Sequence, residues 1–198
     1  VDDAAIDVFR AGQADASRRV VLRHLASRDQ DEFLDLVNAS RELHHPWMSL
    51  PSTPEQFQAY LARYSQPDEE SVLICVRGSG AIAGLVNINS IIRGRFQSGS
   101  VAYAAFAPTA GQGYMTEGLA SVVRYAFEQL QLHRLEAQIQ PENHASLKLV
   151  RRAGFRQEGY SPELLYIDGA WRDHERWAIT NTMIDIAPTP PHPTLPER

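Results

Sequence analysis

The sequence predicts an α/β (α+β) fold in which a mixed central sheet of about seven strands is flanked by about four helices. Three observations predict it. Short β-branched and aromatic runs alternate with stretches of helical period from residue 18 onward. The run "GSVAYAAFAP" is joined to "RLEAQIQ" by a segment long enough for a crossover helix, which makes those two strands parallel. Runs flanking "GSG" and Asp168-Gly169 are hairpins, and hairpin strands are antiparallel.

In chain order, "RRVVLRHL" is a first strand and "DQDEFLDLVNASREL" a helix with Phe33, Leu34 and Val37 on its apolar side and acids in its first turn. A second helix opens at "STPEQFQAYLARY", where Ser52 or Thr53 caps and Pro54 suits the first turn. "SVLICVRGSGAIAGLVNINSII" supplies two strands, and "GSVAYAAFAP" a further one stopped by Pro108. The crossover helix runs to about Leu130, and the strand after it is closed by Pro141. "NHASLKLVRRA" is a shorter helix ending at Gly154, followed by "FRQEGYSPELLYI" and "WRDHERWAIT" as a hairpin. Residues 17–184 are thus expected to form one domain, with residues 1–16 and the proline-rich 185–198 as flexible ends. The tail "PTPPHP" has a polyproline ligand as its alternative reading.

A chain of 198 residues with 43% apolar content can bury a core without metals or disulfides. The single cysteine, Cys75, lies in the apolar run "SVLICV" and reads as a core residue in a reducing compartment. No apolar run approaches the ~20 residues that span a bilayer, and the N-terminus is acidic where a secretory signal is basic. A soluble, cytoplasmic protein with no membrane partner is expected. A net charge of −5 without a Lys/Arg block also argues against nucleic acid as a partner.

Residues 111–118, "GQGYMTEG", place two glycines one residue apart just before "LASVVRYAFEQL". Glycine leaves room for a ligand beside the backbone, and the first N–H groups of a helix lack carbonyl partners. An anion, most often a phosphate, suits such an N-terminus. A Walker loop would need G-K-[ST], which the chain lacks. A dinucleotide fingerprint would need a third glycine at Thr116 and more strand-helix repeats than the closing hairpin allows.

The arrangement that fits is strand "VAYAAFAP", loop "TAGQGYM", helix, strand "RLEAQIQ" and then Asn143 opening the next helix. Here the sequence resembles the GNAT acetyltransferase superfamily, from about Arg18 to Thr180. "HRLEAQIQPENHAS", "GFRQEG" and "YIDGAWRDH" resemble its RimJ/RimL-type branch, and "IIRGRF", "GYM" and "LLYIDGAWRDH" resemble the RimJ-like protein N-terminal acetyltransferases within it. The resemblance implies the acyl-CoA N-acyltransferase fold with splayed central strands, acetyl-CoA as cosubstrate and no metal. It assigns Gly111, Gln112, Gly113, Tyr114, Met115 and Thr116 to the pyrophosphate and Asn143 to the pantetheine arm. Asn143 is equally placed to act as a plain helix N-cap. Two residues depart from the pattern, Ala110 where Gln or Arg is usual and Met115 where a small residue is commoner. Binding through main-chain N–H groups predicts that both are tolerated.

Acetyl transfer needs a neutral amine, donors for the developing oxyanion and a proton for the departing thiolate, for which Ser146 is the candidate acid by the resemblance. In the resembled fold the strand before the loop takes the pantetheine as an added strand, so the N–H groups of Phe106 and Ala107 are candidates to bind the thioester carbonyl. Ser146 and Val150 follow Asn143 on one helix face. Many of these enzymes have a tyrosine acid at the place of Val150, whereas the RimL-type pattern N-x-x-S offers the hydroxyl of Ser146, whose alternative is a bond to its own helix. Glu163 is nominated as base, because it lies two residues from Leu165, where related enzymes have a glutamate, and alternation puts both on one strand face. Water is the alternative. "ELHHPWMSL" carries His44, His45 and Trp47 into the region that lines the acceptor groove in similar folds; adjacent histidines point apart, which argues against zinc. His133, His144 and His174 read as surface or packing residues.

The expected function is acetyl-CoA-dependent acetylation of a protein or peptide N-terminus, a ribosomal protein among the candidates. Acetylation of a small amine (antibiotic, polyamine or amino acid) and a silent CoA-binding regulatory module are the alternatives. Either a monomer or a homodimer is compatible with the sequence.

Overall fold

The apolar runs pair into one seven-stranded sheet in the order β1-β2-β3-β4-β5-β7-β6. The structure, a computed structural model, describes residues 18–186. Its strands are β1 (Val20–His24), β2 (Glu70–Val76), β3 (Ile82–Ile92), β4 (Ser98–Ala105), β5 (Arg134–Ile139), β6 (Arg156–Ile167) and β7 (Ala170–Thr180). The helices are α1 (Gln30–Ala39), α2 (Arg41–His44), α3 (Pro54–Arg63), α4 (Tyr114–Glu128) and α5 (His144–Arg152). Of the neighbouring strands only β4 and β5 run parallel, joined through α4 as the crossover requires. The proline-rich tail and residues 1–16 lie outside the described residues, apart from Asp185 and Ile186.

Alternation along the strands sends side chains to two cores. Val86, Ile88, Leu119, Val122, Leu135 and Trp177 pack under α4 and α5, while Phe33, Phe57, Leu73, Leu85 and Phe106 pack under α1 and α3. Cys75 is buried in the second. The helix expected over residues 29–43 is broken at Ser40, which is buried and closes α1 by donating to Leu36 O. Thr53 rather than Ser52 caps α3, accepting from the N–H of Gln56. At the β6-β7 turn both Asp168 (φ 50°) and Gly169 (φ 74°) are left-handed, as a type I′ hairpin requires.

Helix α4 lies close on the sheet because Gly118 has no side chain. A Cβ there would stand 2.3–2.7 Å from three atoms of Ile74 on β2. Alanine at 118 gains about 1 kcal/mol of helix propensity but overpacks the core at a cost of about 1–3 kcal/mol. Gly118→Ala is therefore expected to lower the urea unfolding midpoint. An unchanged or raised midpoint would show that α4 has room to lift from β2.

Candidate active site

The N-terminus of α4 is open. Gly111 (φ 77°) and Gly113 (φ 85°) are both left-handed, and Gly113 stands at the N-cap with no side chain bonding the first turn. The N–H groups of Thr116 and Glu117 turn in to Gly113 O, which leaves those of Gly113, Tyr114 and Met115 for an outside acceptor. Positive charge gathers there from another part of the chain. The Arg19 guanidinium donates to Gln112 O at 3.0 Å and lies 4.9 Å from the centre of the Tyr114 ring. Glu117 holds Arg19 in place, accepting its main-chain N–H at 2.7 Å and pairing with Nε at 3.4 Å. Arg18 and Arg77 lie alongside, the latter donating to Arg18 O. Met115 covers bare backbone, because a Cβ on Gly84 of β3 would be 2.1 Å from its sulfur. That glycine accommodates the bulky residue at 115.

Beyond the loop the sheet opens. Strands β4 and β5 pair only through Ser98–Ser100 and Arg134–Glu136, so residues 101–105 and 137–139 face each other without a ladder. The two N–H groups expected to serve this opening are both taken. Phe106 N–H donates to Ala83 O at 3.3 Å, and Ala107 N–H to Ser40 Oγ at 2.9 Å. The correction follows from strand parity. With Phe106 turned to β3, the alternate residues Tyr103 and Ala105 turn their main-chain groups to the unpaired margin. Ala105 O is in fact bonded by His44 Nε2 at 2.8 Å rather than by β3.

Helix α5 begins at the same opening. Asn143 caps it, its Oδ1 accepting Ser146 N–H at 3.1 Å. The Ser146 hydroxyl bonds Tyr103 Oη at 2.5 Å, not its own helix. Burial pushes the Tyr103 phenol up to about 12, with Ser146 opposing, so it is protonated at neutral pH.

The far wall is the β6-β7 hairpin. Alternation breaks here, since the register shifts between Ser161 and Leu165. Glu163 sits in that irregularity with φ 48°, exposed, and its N–H donates to Asp173 Oδ1 at 2.8 Å. The argument that it shares a face with Leu165 therefore does not hold. His44 turns inward and His45 outward, the latter 3.2 Å from Asp168 at the hairpin tip; Trp47 is half-buried. Among the described residues no three or more His, Cys, Asp or Glu side chains gather as a metal site would require. His174, read as a surface or packing residue, is 2% exposed and bonds Arg172 O through Nδ1; burial lowers its pKa and keeps the ring neutral. A cavity of about 370 Å³ lined by His24, Tyr64, Glu70 and Ser71 lies at the other end of β1, away from this constellation.

An open helix N-terminus, a splayed parallel strand pair and a capped second helix coincide with what comparison finds. Residues 19–156 match the model of the acetyltransferase (GNAT) domain. The chain belongs to the GNAT acetyltransferase family. The ribosomal protein uS5-alanine N-acetyltransferase of Escherichia coli is 29% identical over 180 residues, 82% of this chain and 88% of that protein. Mycobacterium smegmatis RimJ, solved with CoA-disulfide, superposes with a TM-score of 0.78 at 27% identity over 85% of each chain. A Vibrio cholerae spermidine N-acetyltransferase solved with CoA and spermine shares the fold, with a TM-score of 0.72 at 20% identity over 83% of this chain and 97% of that one. As a GNAT protein of RimJ/RimL likeness, the chain is an acetyl-CoA-dependent N-acetyltransferase. No helix of the described residues is long and apolar enough to cross a membrane.

Sequence reading missed Arg19 and Tyr103. Arg19 is 93 residues from the loop carbonyl that it bonds, and no local pattern announces it. Tyr103 carried a signal, since alternation in "VAYAAF" sends it to one face of the sheet. For the loop, Gly113→Val places a branched side chain at φ 85° with its Cβ 3.0 Å from the Arg19 guanidinium. CoA affinity measured by calorimetry should fall about tenfold or more, a change of at least 1.4 kcal/mol, with the melting temperature nearly kept. Parent-like affinity would put the anion site elsewhere.

Proposed function

We propose that the protein acetylates the α-amino group of a protein or peptide N-terminus, with acetyl-CoA held along the opening between β4 and β5. The main-chain N–H groups of Gly111–Met115 hold the pyrophosphate, with Thr116 closing the first turn on Gly113 O, helped by the dipole of α4. Arg19 supplies the positive charge that Ala110 lacks. The pantetheine lies against the main chain of Tyr103 and Ala105, in the manner of an added strand. Asn143 bonds it while capping α5, and the Ser146 hydroxyl faces the departing sulfur. When bound, the thioester supplies an activated acetyl carbon; orientation and hydrogen bonding are the work of this chain.

The observation that carries the choice of acceptor is the position of Glu163 on an exposed irregularity rather than on the face of Leu165. An acceptor that needs little help from a base fits such a site. An α-amine, with an unperturbed pKa of about 7.7–8.0, offers far more neutral nucleophile at pH 7 than a lysine at about 10.4. The named activity of the uS5-alanine N-acetyltransferase relative supports the same acceptor. Ribosomal protein N-termini are the first candidates.

The spermidine N-acetyltransferase likeness supports a second reading, acetylation of a polyamine. One competition separates the two. A peptide with a free N-terminus, the same peptide blocked at its N-terminus but carrying lysine, and spermidine are offered together with acetyl-CoA and read by intact mass. The free-N-terminus peptide is expected to be acetylated fastest. Faster acetylation of the blocked peptide or of spermidine replaces the N-terminal reading with the lysine or small-amine one, and no acetylation of any amine favours a silent CoA-binding module.

A further inference from the structure

Tyr103 and Ser146 come from different elements, β4 and the first turn of α5, yet their hydroxyl oxygens are 2.5 Å apart. A serine on a helix commonly spends its hydroxyl on the backbone four residues earlier. Ser40, Ser65 and Ser121 do so here, donating to Leu36 O, Leu61 O and Glu117 O. Ser146 does not. Its N–H is fixed by Asn143 Oδ1 and its side chain by the phenol, so both parts of the residue are held from outside the helix ladder.

Each hydroxyl has one proton, so only one can donate across the pair. If serine donated, the phenol proton would be left with Ser146 O, at a longer 3.4 Å and already the acceptor of the α5 ladder. If the phenol donates, it makes the short bond and the serine proton is released from it. We propose that Tyr103 is the positioning residue for Ser146: its O–H donates to Ser146 Oγ and so directs the serine proton into the opening between β4 and β5. The proposal rests on the assignment of Ser146 to the departing sulfur.

The chemistry balances without a proton leaving either hydroxyl. The amine nitrogen bonds to the acetyl carbon, the C–S bond breaks, and its electron pair leaves on sulfur. The Ser146 O–H donates a hydrogen bond to that sulfur as charge develops on it. The proton shed by nitrogen passes to water, and the thiolate takes a proton from solvent. A phenol held well above its ordinary pKa by burial stays a donor throughout the working pH range.

The test is a double-mutant cycle with Tyr103→Phe, Ser146→Ala and the combined variant, read by single-turnover acetylation of one peptide and by CoA affinity. Tyr103→Phe is expected to slow the step about tenfold, the worth of one net hydrogen bond at the upper end, with CoA affinity unchanged. In the Ser146→Ala background the same substitution should change nothing further. An equal loss in both backgrounds, or a parent-like rate for Tyr103→Phe, overturns the proposal. A parent-like rate for Ser146→Ala also overturns it, and identifies the serine assignment as the part that failed. Should Tyr103→Phe not fold, 3-fluorotyrosine at 103 serves instead: a rate change seen only when Ser146 is present supports the proposal, and the same change without Ser146 overturns it.

Discussion

The structure depends on the parting of β4 from β5 after Ser100 and Glu136. Each strand is held by its other neighbour. β4 stays registered with β3 as far as Gly84↔Ala105, and Phe106 N–H continues the ladder to Ala83 O. β5 stays registered with β7 as far as Ile139↔Glu175. The ends are pinned further by groups outside the sheet, with His44 on Ala105 O, Ser40 on Ala107 N–H, and Asn143 N–H returning to Gln140 O. Unpaired edge groups in a sheet interior are costly unless something bonds them. The pantetheine arm, bound as a strand as proposed above, would complete the accounting.

The rest of the site follows from that opening. Because the crossover between β4 and β5 is α4, the helix N-terminus stands at the end of β4, beside the gap. Because α5 follows β5 directly, its capped start stands at the other side of the same gap. The glycine loop proposed for the pyrophosphate and the Ser146 hydroxyl are thus set at two margins of one cleft by chain connectivity alone. Arginines from the start of β1 add the positive charge that the loop sequence lacks, and Glu117 orients Arg19 while sitting in the first turn of α4.

Much of this was legible in the sequence, for physical reasons. The strands, the hairpin at Asp168-Gly169, the glycine pair before α4 and the Asn143 cap are local features, fixed by a few consecutive residues. What was not legible depends on geometry between distant segments. Counting by twos fails at Glu163 because β6 carries extra residues opposite Asp173, and an irregularity of that kind leaves no simple mark in the alternation. The N–H of Phe106 is taken because its register with β3 turns it to Ala83 O, and that of Ala107 because the distant Ser40 hydroxyl reaches it. Arg19 and Tyr103 reach their partners only once the sheet is assembled.

The central claim is that CoA lies between β4 and β5 with its phosphates at the start of α4. Residue-resolved amide hydrogen exchange with and without CoA tests it most directly. The account predicts slowed exchange at Tyr103 and Ala105 and at Gly113–Met115, while Phe106, Ala107 and Thr116, already bonded within the fold, change little. Protection confined to other segments, such as the cavity beside His24 and Glu70, or no protection at Tyr103 and Ala105 under saturating CoA, would contradict it.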